Sequence, residues 1–240
     1  MTTFRFQALR ASLLSVATFA AASAAQAQTA TFDFANLAAT VPTSGVGPLC
    51  TSNDRCSTRG GSLTFMQNGV SVQAFGYYNG VLANGMVVQD QESKFSALKM
   101  IGAGLGVYHQ FNSSNGPSNS GDDNITSNES LKLSFANSVI FSALGMRSEG
   151  HNVTGWTANS LFEYRVDNGA WTHGVLPAGT GNFALNATGK DFEFRFKQQG
   201  GDQFYISGAT ATVVPEPSTY MLMASGLVGL IGLARRRRAA

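Results

Sequence analysis

Asp122, Asp123, Asn124, Asn128 and Glu129 crowd into one polar stretch of the chain. Closely spaced hard oxygen donors are what a Ca²⁺ ion needs, roughly six to eight ligands at about 2.4 Å. The fixed spacing and sixth-place glycine of a helix-loop-helix calcium site are absent. Two readings stay open, a structural Ca²⁺ site and a solvated polar loop. Glu163 and Glu193 offer the paired carboxylates of a glycoside hydrolase, but both alternate with apolar neighbours, which describes two exposed strand faces. His109, His151 and His173 find carboxylates and serines only at the scattered positions that any chain offers, and read as surface or strand residues. No Gly-x-Ser-x-Gly elbow, His-Glu-x-x-His helix or phosphate-binding Gly-x-x-x-x-Gly-Lys loop occurs. Gly102-Ala103-Gly104-Leu105-Gly106 misplaces the third glycine of a dinucleotide loop and reads as a β-turn. The chain is accordingly expected to be non-enzymatic. Aromatic side chains exposed on a sheet can stack on sugar rings while Asn and Asp bond the hydroxyls. Trp156, Trp171, Tyr77, Tyr78 and Tyr164 are the candidates, with core packing as the competing account of each.

The elements that must position these groups are strands. In Asp191-Phe192-Glu193-Phe194-Arg195-Phe196-Lys197, aromatics and charges alternate strictly, as a half-exposed strand requires. Residues 130–135 alternate likewise, with Leu131, Leu133 and Phe135 on one side. Asp167-Asn168-Gly169 between two such runs is a hairpin signal, because these residues tolerate positive φ. Further strands are predicted over 31–36, 62–65, 70–78, 105–110, 139–146 and 203–213, with a short helical pattern only at 91–99. The polar stretch 112–130 reads as a loop. Many short strands with glycine-rich turns predict an all-β fold, a single antiparallel β-sandwich of jelly-roll-like form over residues 28–213.

The two ends follow other rules. Arg5 and Arg10 precede an Ala-rich apolar run, and Ala25-Gln26-Ala27 closes it. A basic start, a short apolar core and an Ala-x-Ala end describe a secretory signal peptide over 1–27. In the oxidising compartment that export implies, Cys50 and Cys56 are expected to pair as a disulfide closing a small surface turn, whereas a zinc site lacks a second ligand pair. At the other end, Val214-Pro215-Glu216-Pro217 leads into an apolar run closed by Arg235, Arg236, Arg237 and Arg238. A membrane helix over about 218–234 is thin against a hydrocarbon core of ~30 Å, and snorkelling arginines extend it. The terminal arginines hold the tail in the cytoplasm by the positive-inside rule, leaving the body outside.

Pro215-Glu216-Pro217, the short apolar helix and the terminal arginines, in that order, resemble the PEP-CTERM sorting signal of Gram-negative exoproteins. The stretch Gly104-Leu105-Gly106-Val107 followed by Asp123, Ile125, Glu129 and the strand Leu131, Leu133, Phe135 is similar to a body pattern recurring in such proteins, which is more acidic where Asn124 and Thr126 stand here. The resemblance implies a membrane-embedded processing enzyme of the exosortase type as partner. Pro215, Glu216, Pro217 and the four terminal arginines would be its recognition site. It implies a route through an inner-membrane intermediate to the cell surface or the extracellular space. The prolines keep the preceding chain extended and open to cleavage.

Composition then excludes further classes. Of 240 residues, 12% are charged and 10% aromatic, which argues against charge-driven disorder. The formal net charge of +2 suggests an affinity for anionic partners until its location is read. Six of the sixteen basic residues lie in the two end segments, and all fourteen acids lie between residues 28 and 217. That span therefore holds four more acids than bases, and nucleic-acid binding loses its support. The combined expectation is an exported surface or matrix protein, structural or adhesive and associated with exopolysaccharide or biofilm. A secreted carbohydrate-binding domain and a polysaccharide-acting hydrolase are the alternatives.

Overall fold

The computed structural model describes residues 27–37, 55–59, 61–90, 102–109 and 123–214, with the backbone alone described for 55–59. Eleven strands build it: β1 Thr29–Asp33, β2 Arg55–Arg59, β3 Leu63–Gln67, β4 Val70–Tyr78, β5 Met86–Asp90, β6 Gly104–Tyr108, β7 Glu129–Arg147, β8 Leu161–Val166, β9 Thr172–Val175, β10 Asn182–Phe196 and β11 Tyr205–Val213. The only helical element among the described residues is a 3₁₀ turn, Leu82–Asn84, and none is long and apolar enough to cross a membrane. The predicted signal peptide, the 91–99 helical pattern and the membrane helix of the tail lie outside the described residues.

The all-β expectation holds, but the sheet is continuous. Hydrogen bonds run without a break in the order β2-β5-β6-β11-β7-β10-β8-β9, with β1 added to β11 and β4 to β7, β3 flanking β4. Two long strands carry that continuity. The runs 130–135 and 139–146, predicted as separate strands, are one strand, β7, whose first part pairs β4 and whose second pairs β11. β10 follows β7 through both parts. Between Val139↔Gly189 and Ser134↔Asp191 the register shifts, so the paired strands turn a corner there. Strands that switch layers through a bulge make the corners of packed sheets. A second irregularity leaves Ser142 unmatched between Ala143 and Phe141. It lets Phe141 and Leu144, three apart in a strand of period two, both face inward.

The tight turns follow from residue type. Asn68-Gly69 joins β3 to β4 with φ of 48° and 75°, and Asn79-Gly80 repeats the pattern with 52° and 73°, the left-handed pair of a type I′ hairpin. The predicted Asp167-Asn168-Gly169 turn forms, with Asp167 and Asn168 taking the positive φ. Gly169 N–H donates to Val166 O at 2.8 Å. Of the glycines of 102–106, read as a β-turn, Gly104 and Gly106 instead lie in β6. A Cβ on Gly106 would lie 1.7 Å from the Asp123 carbonyl oxygen, and one on Gly104 2.3 Å from that of Ile206. These glycines serve close backbone approach rather than chain reversal.

Between the folded-over layers lies an aromatic core. Phe32 meets Phe135 with ring centroids 6.3 Å apart, and Phe34 meets Phe65 at 4.9 Å, which joins β1 to β7 and the turn after β1 to β3. Phe141 meets Phe192 at 4.8 Å and Phe194 at 6.1 Å, edge to face. All of these rings are buried, each stabilising the fold by about 1.5–3 kcal/mol through area removed from water. Phe141→Ala should therefore lower the free energy of unfolding by about 3–5 kcal/mol in urea titrations. Ile140→Ala, at the neighbouring position that is 46% exposed, should change it by less than about 0.5 kcal/mol.

Candidate functional site

Strand alternation divides the sheet formed by β4, the first part of β7, the second part of β10, β8 and β9 into two faces. Val72, Ala74, Leu131, Leu133, Phe192, Phe194 and Phe162 point into the core. Their neighbours Phe75, Tyr77, Ser130, Lys132, Glu193, Arg195, Glu163 and Arg165 take the other face. Cross-strand register then sets Glu193 opposite both Lys132 and Arg165, and Arg195 opposite Ser130 and Glu163. The acids and bases meet in pairs. Arg165 donates from Nε and Nη2 to Glu193 Oε2 at 2.7 and 2.5 Å, and Ser130 Oγ donates to Glu193 Oε1 at 2.6 Å. Arg195 Nε donates to Glu163 Oε2 at 2.7 Å. Such charge-assisted bonds are about twice as strong as neutral ones.

Aromatic rings receive the same cations. The guanidinium carbons of Arg195 and Arg165 lie 3.8 and 4.6 Å from the centre of the half-buried Trp171 ring. Lys132 Nζ lies 5.2 Å from the Phe75 ring and 5.5 Å from that of Tyr77. These distances are within the reach of cation–π attraction. Around Trp171 the surface opens into a groove of about 640 Å³, lined by both ion pairs, Lys197 and the amide side chains of Asn79, Asn128, Gln198 and Gln199. That volume is in the range of small-ligand sites, about 300–1,000 Å³.

The sequence candidates are distributed unevenly over this arrangement. Glu163 and Glu193, read as ordinary exposed faces, are ion-paired and mostly covered, because the facing strands carry arginines. Trp171 and Tyr77 share the outer face. Trp156 is buried, with its Nε1–H donating to Gln203 O at 3.1 Å, and Tyr164 packs towards the core. Tyr78 stacks on His109 with ring centroids 4.1 Å apart. His173 is 3.6 Å from Glu163 Oε1, which places it beside the groove. No local motif marks Arg165, Arg195 or Lys197 as site residues. The alternation of 191–197 places Arg195 and Lys197 on Glu193's face, but their convergence on Trp171 needs the pairing with β8.

The oxygen-rich stretch divides among separate protein partners. Asp123 is buried and its Oδ1 accepts from the Tyr205 hydroxyl. Glu129, also buried, holds His109 Nδ1 at 2.7 Å through Oε1 and accepts from Thr126 N–H at 2.9 Å through Oε2. Asn128 takes a positive φ of 68° and its Oδ1 accepts from Gln198 Nε2 at 3.1 Å. Asn124 is fully buried, and Asp122 lies outside the described residues. Among the described residues no group of three or more His, Cys, Asp or Glu side chains is placed to hold a metal. His151, read as a surface or strand residue, has its Nε2 3.3 Å from the buried Asp90 carboxylate, and Arg147 donates to the His151 carbonyl at 3.2 Å. Burial pushes the Arg147 guanidinium below its ordinary value, with Asp33 acting the other way. Cys56 falls in β2, Cys50 lies outside the described residues, and no disulfide is present among them.

Around this site the fold defines an all-β protein with a polar and aromatic outer face. Residues 213–238 match the family model of the PEP-CTERM protein-sorting motif. The motif marks an exported protein that is sorted by exosortase, a membrane enzyme, and carried through the membrane to the cell surface. No curated protein matches the chain. Glu193→Gln should lower the unfolding free energy by about 1.5–3 kcal/mol, the range for a hydrogen bond to a charged group. Urea titration at neutral pH measures it, and an unchanged midpoint would mean that the Arg165 pair contributes nothing to stability.

Proposed function

We propose that the chain is a non-catalytic adhesive component of the extracellular polysaccharide matrix, displayed at the surface after its tail is processed. Recognition of the tail rests on Pro215, Glu216 and Pro217 with Arg235, Arg236, Arg237 and Arg238, and the body makes the contacts outside the cell. The outer-face groove is the observation that supports binding. It combines a half-exposed tryptophan with fixed charged and amide groups, the mixture that saccharide sites use. Against hydrolysis, the two carboxylates that would serve as acid and nucleophile are each occupied by an arginine. A guanidinium on each competes with a substrate for the carboxylate.

Sorting and adhesion are tested separately. The quadruple variant Arg235→Ser, Arg236→Ser, Arg237→Ser, Arg238→Ser should still be exported but fail to reach its normal surface location, read by cell fractionation and by the mass of the mature C-terminus. Normal display would contradict the role given to the arginines. For adhesion, the exported protein should co-sediment with exopolysaccharide extracted from the producing cells. Release of reducing sugar from that polysaccharide, or failure to sediment with it, would overturn the non-catalytic adhesive reading.

A further inference from the structure

The groove beside Trp171 has more unsatisfied donors than acceptors. Of the five N–H groups of Arg195, only Nε is placed on a protein acceptor, so both Nη groups remain, and the side chain is 39% exposed. Lys197 Nζ is 3.9 Å from Glu163 Oε1, beyond hydrogen-bond reach. It has three donors and no acceptor within reach. On the acceptor side, Glu163 Oε1 faces only His173 and Lys197, at 3.6 and 3.9 Å, and Glu193 already takes three bonds from Arg165 and Ser130. Glu129, which also lines the groove, has both oxygens on His109 and Thr126. The lining holds three acids, Glu129, Glu163 and Glu193, against three bases, Arg165, Arg195 and Lys197, whereas in the body as a whole acids outnumber bases. Screening limits exposed charges to about 8 Å at physiological salt, so a ligand in the groove meets these donors rather than the net charge.

We propose that this groove binds an acidic saccharide, with the sugar's carboxylate held by the Arg195 fork and the Lys197 ammonium and the ring lying beside Trp171. A carboxylate matches the planar fork of a guanidinium with two parallel N–H···O bonds, and the ammonium adds a point charge. Arg195 is fixed for this by its bond to Glu163 and its stacking on Trp171, so little side-chain freedom is lost on binding. The amides of Asn79 and Gln199, which also line the groove, supply both donors and acceptors for sugar hydroxyls. A neutral sugar would leave the cationic donors desolvated and unpaired, which costs affinity. This identification rests on the adhesive reading above and assigns it a site and a ligand class.

The test uses the full chain in detergent micelles, titrated with a uronic-acid oligomer, a neutral glucan oligomer of equal length and sodium phosphate at matched ionic strength. Intrinsic tryptophan fluorescence and calorimetry provide the readouts. The uronic-acid oligomer should bind at least tenfold more tightly than either other probe. Arg195→Gln and Lys197→Gln should each weaken that binding tenfold or more, and Trp171→Ala should abolish the fluorescence response. Lys197→Gln breaks no short contact, so it remains informative if the others misfold. Equal affinity for the neutral oligomer or for phosphate would overturn the ligand class, and a Lys197→Gln variant that binds like the parent would overturn the site. If no probe binds while the exported protein still sediments with extracted polysaccharide, this proposal fails and the adhesive reading stands.

Discussion

The pairing of β7 with β10 through the corner is the constraint on which the other features depend. These two strands are the longest among the described residues and belong to both layers, so their register assigns faces throughout. In a strand of period two, a slip of one residue would exchange core for surface along its whole length. The irregularities at Ser142 and around Gly189 keep Phe141, Phe192 and Phe194 together while the backbone changes direction. Asp167 secures the corner from outside, with its Oδ1 accepting from the N–H groups of Lys190 and Asp191 at 2.9 and 2.8 Å. A turn residue of the β8–β9 hairpin thus supplies an acceptor to the irregular backbone of β10.

Once that register is set, the groove follows with little freedom. Glu163 and Arg165 alternate on β8 as Glu193 and Arg195 do on β10, and antiparallel pairing places each acid opposite a base. Opposite charges directly across strands favour the pairing that brings them together, by a few tenths to about 1 kcal/mol. The arrangement therefore contributes to the register of two adjacent strands as well as to the surface they present. Trp171, just ahead of β9, takes the guanidinium groups of both pairs against its ring, at 3.8 and 4.6 Å.

Much of the architecture was legible in the chain because alternation and turn chemistry are local. The strand 70–78 coincides with β4, and Asp167-Asn168-Gly169 forms its hairpin, since both signals are complete within a few residues. β5 escaped notice because Met86–Asp90 is buried at every position and shows no alternation, and β9 is too short to show one. The first part of β10 was missed because Asn182–Gly189 is rich in Ala, Asn and Gly. The glycines of 102–106 suggested a turn since a sequence does not reveal which backbone will approach from another strand. The groove was half visible. Glu163, Glu193 and Trp171 were noticed singly, but the roles of Arg165, Arg195 and Lys197 depend on which strands become neighbours.

The ends of the body have a mechanical consequence. Thr29 pairs with Thr212, their hydroxyl oxygens 2.9 Å apart, and Val213 N–H donates to Gln28 O at 2.8 Å. The chain therefore enters and leaves the sheet at one point, through two hydrogen-bonded strands. β11, which leads directly to the sorting motif, is an interior strand flanked by β7 on one side and by β1 and β6 on the other. A pull applied at Val213 along β11 loads those ladders in shear, many bonds at once, rather than peeling an edge strand one bond at a time. A body that grips a polymer while its C-terminal side is held would thus pass the load into neighbouring strands on both sides of β11.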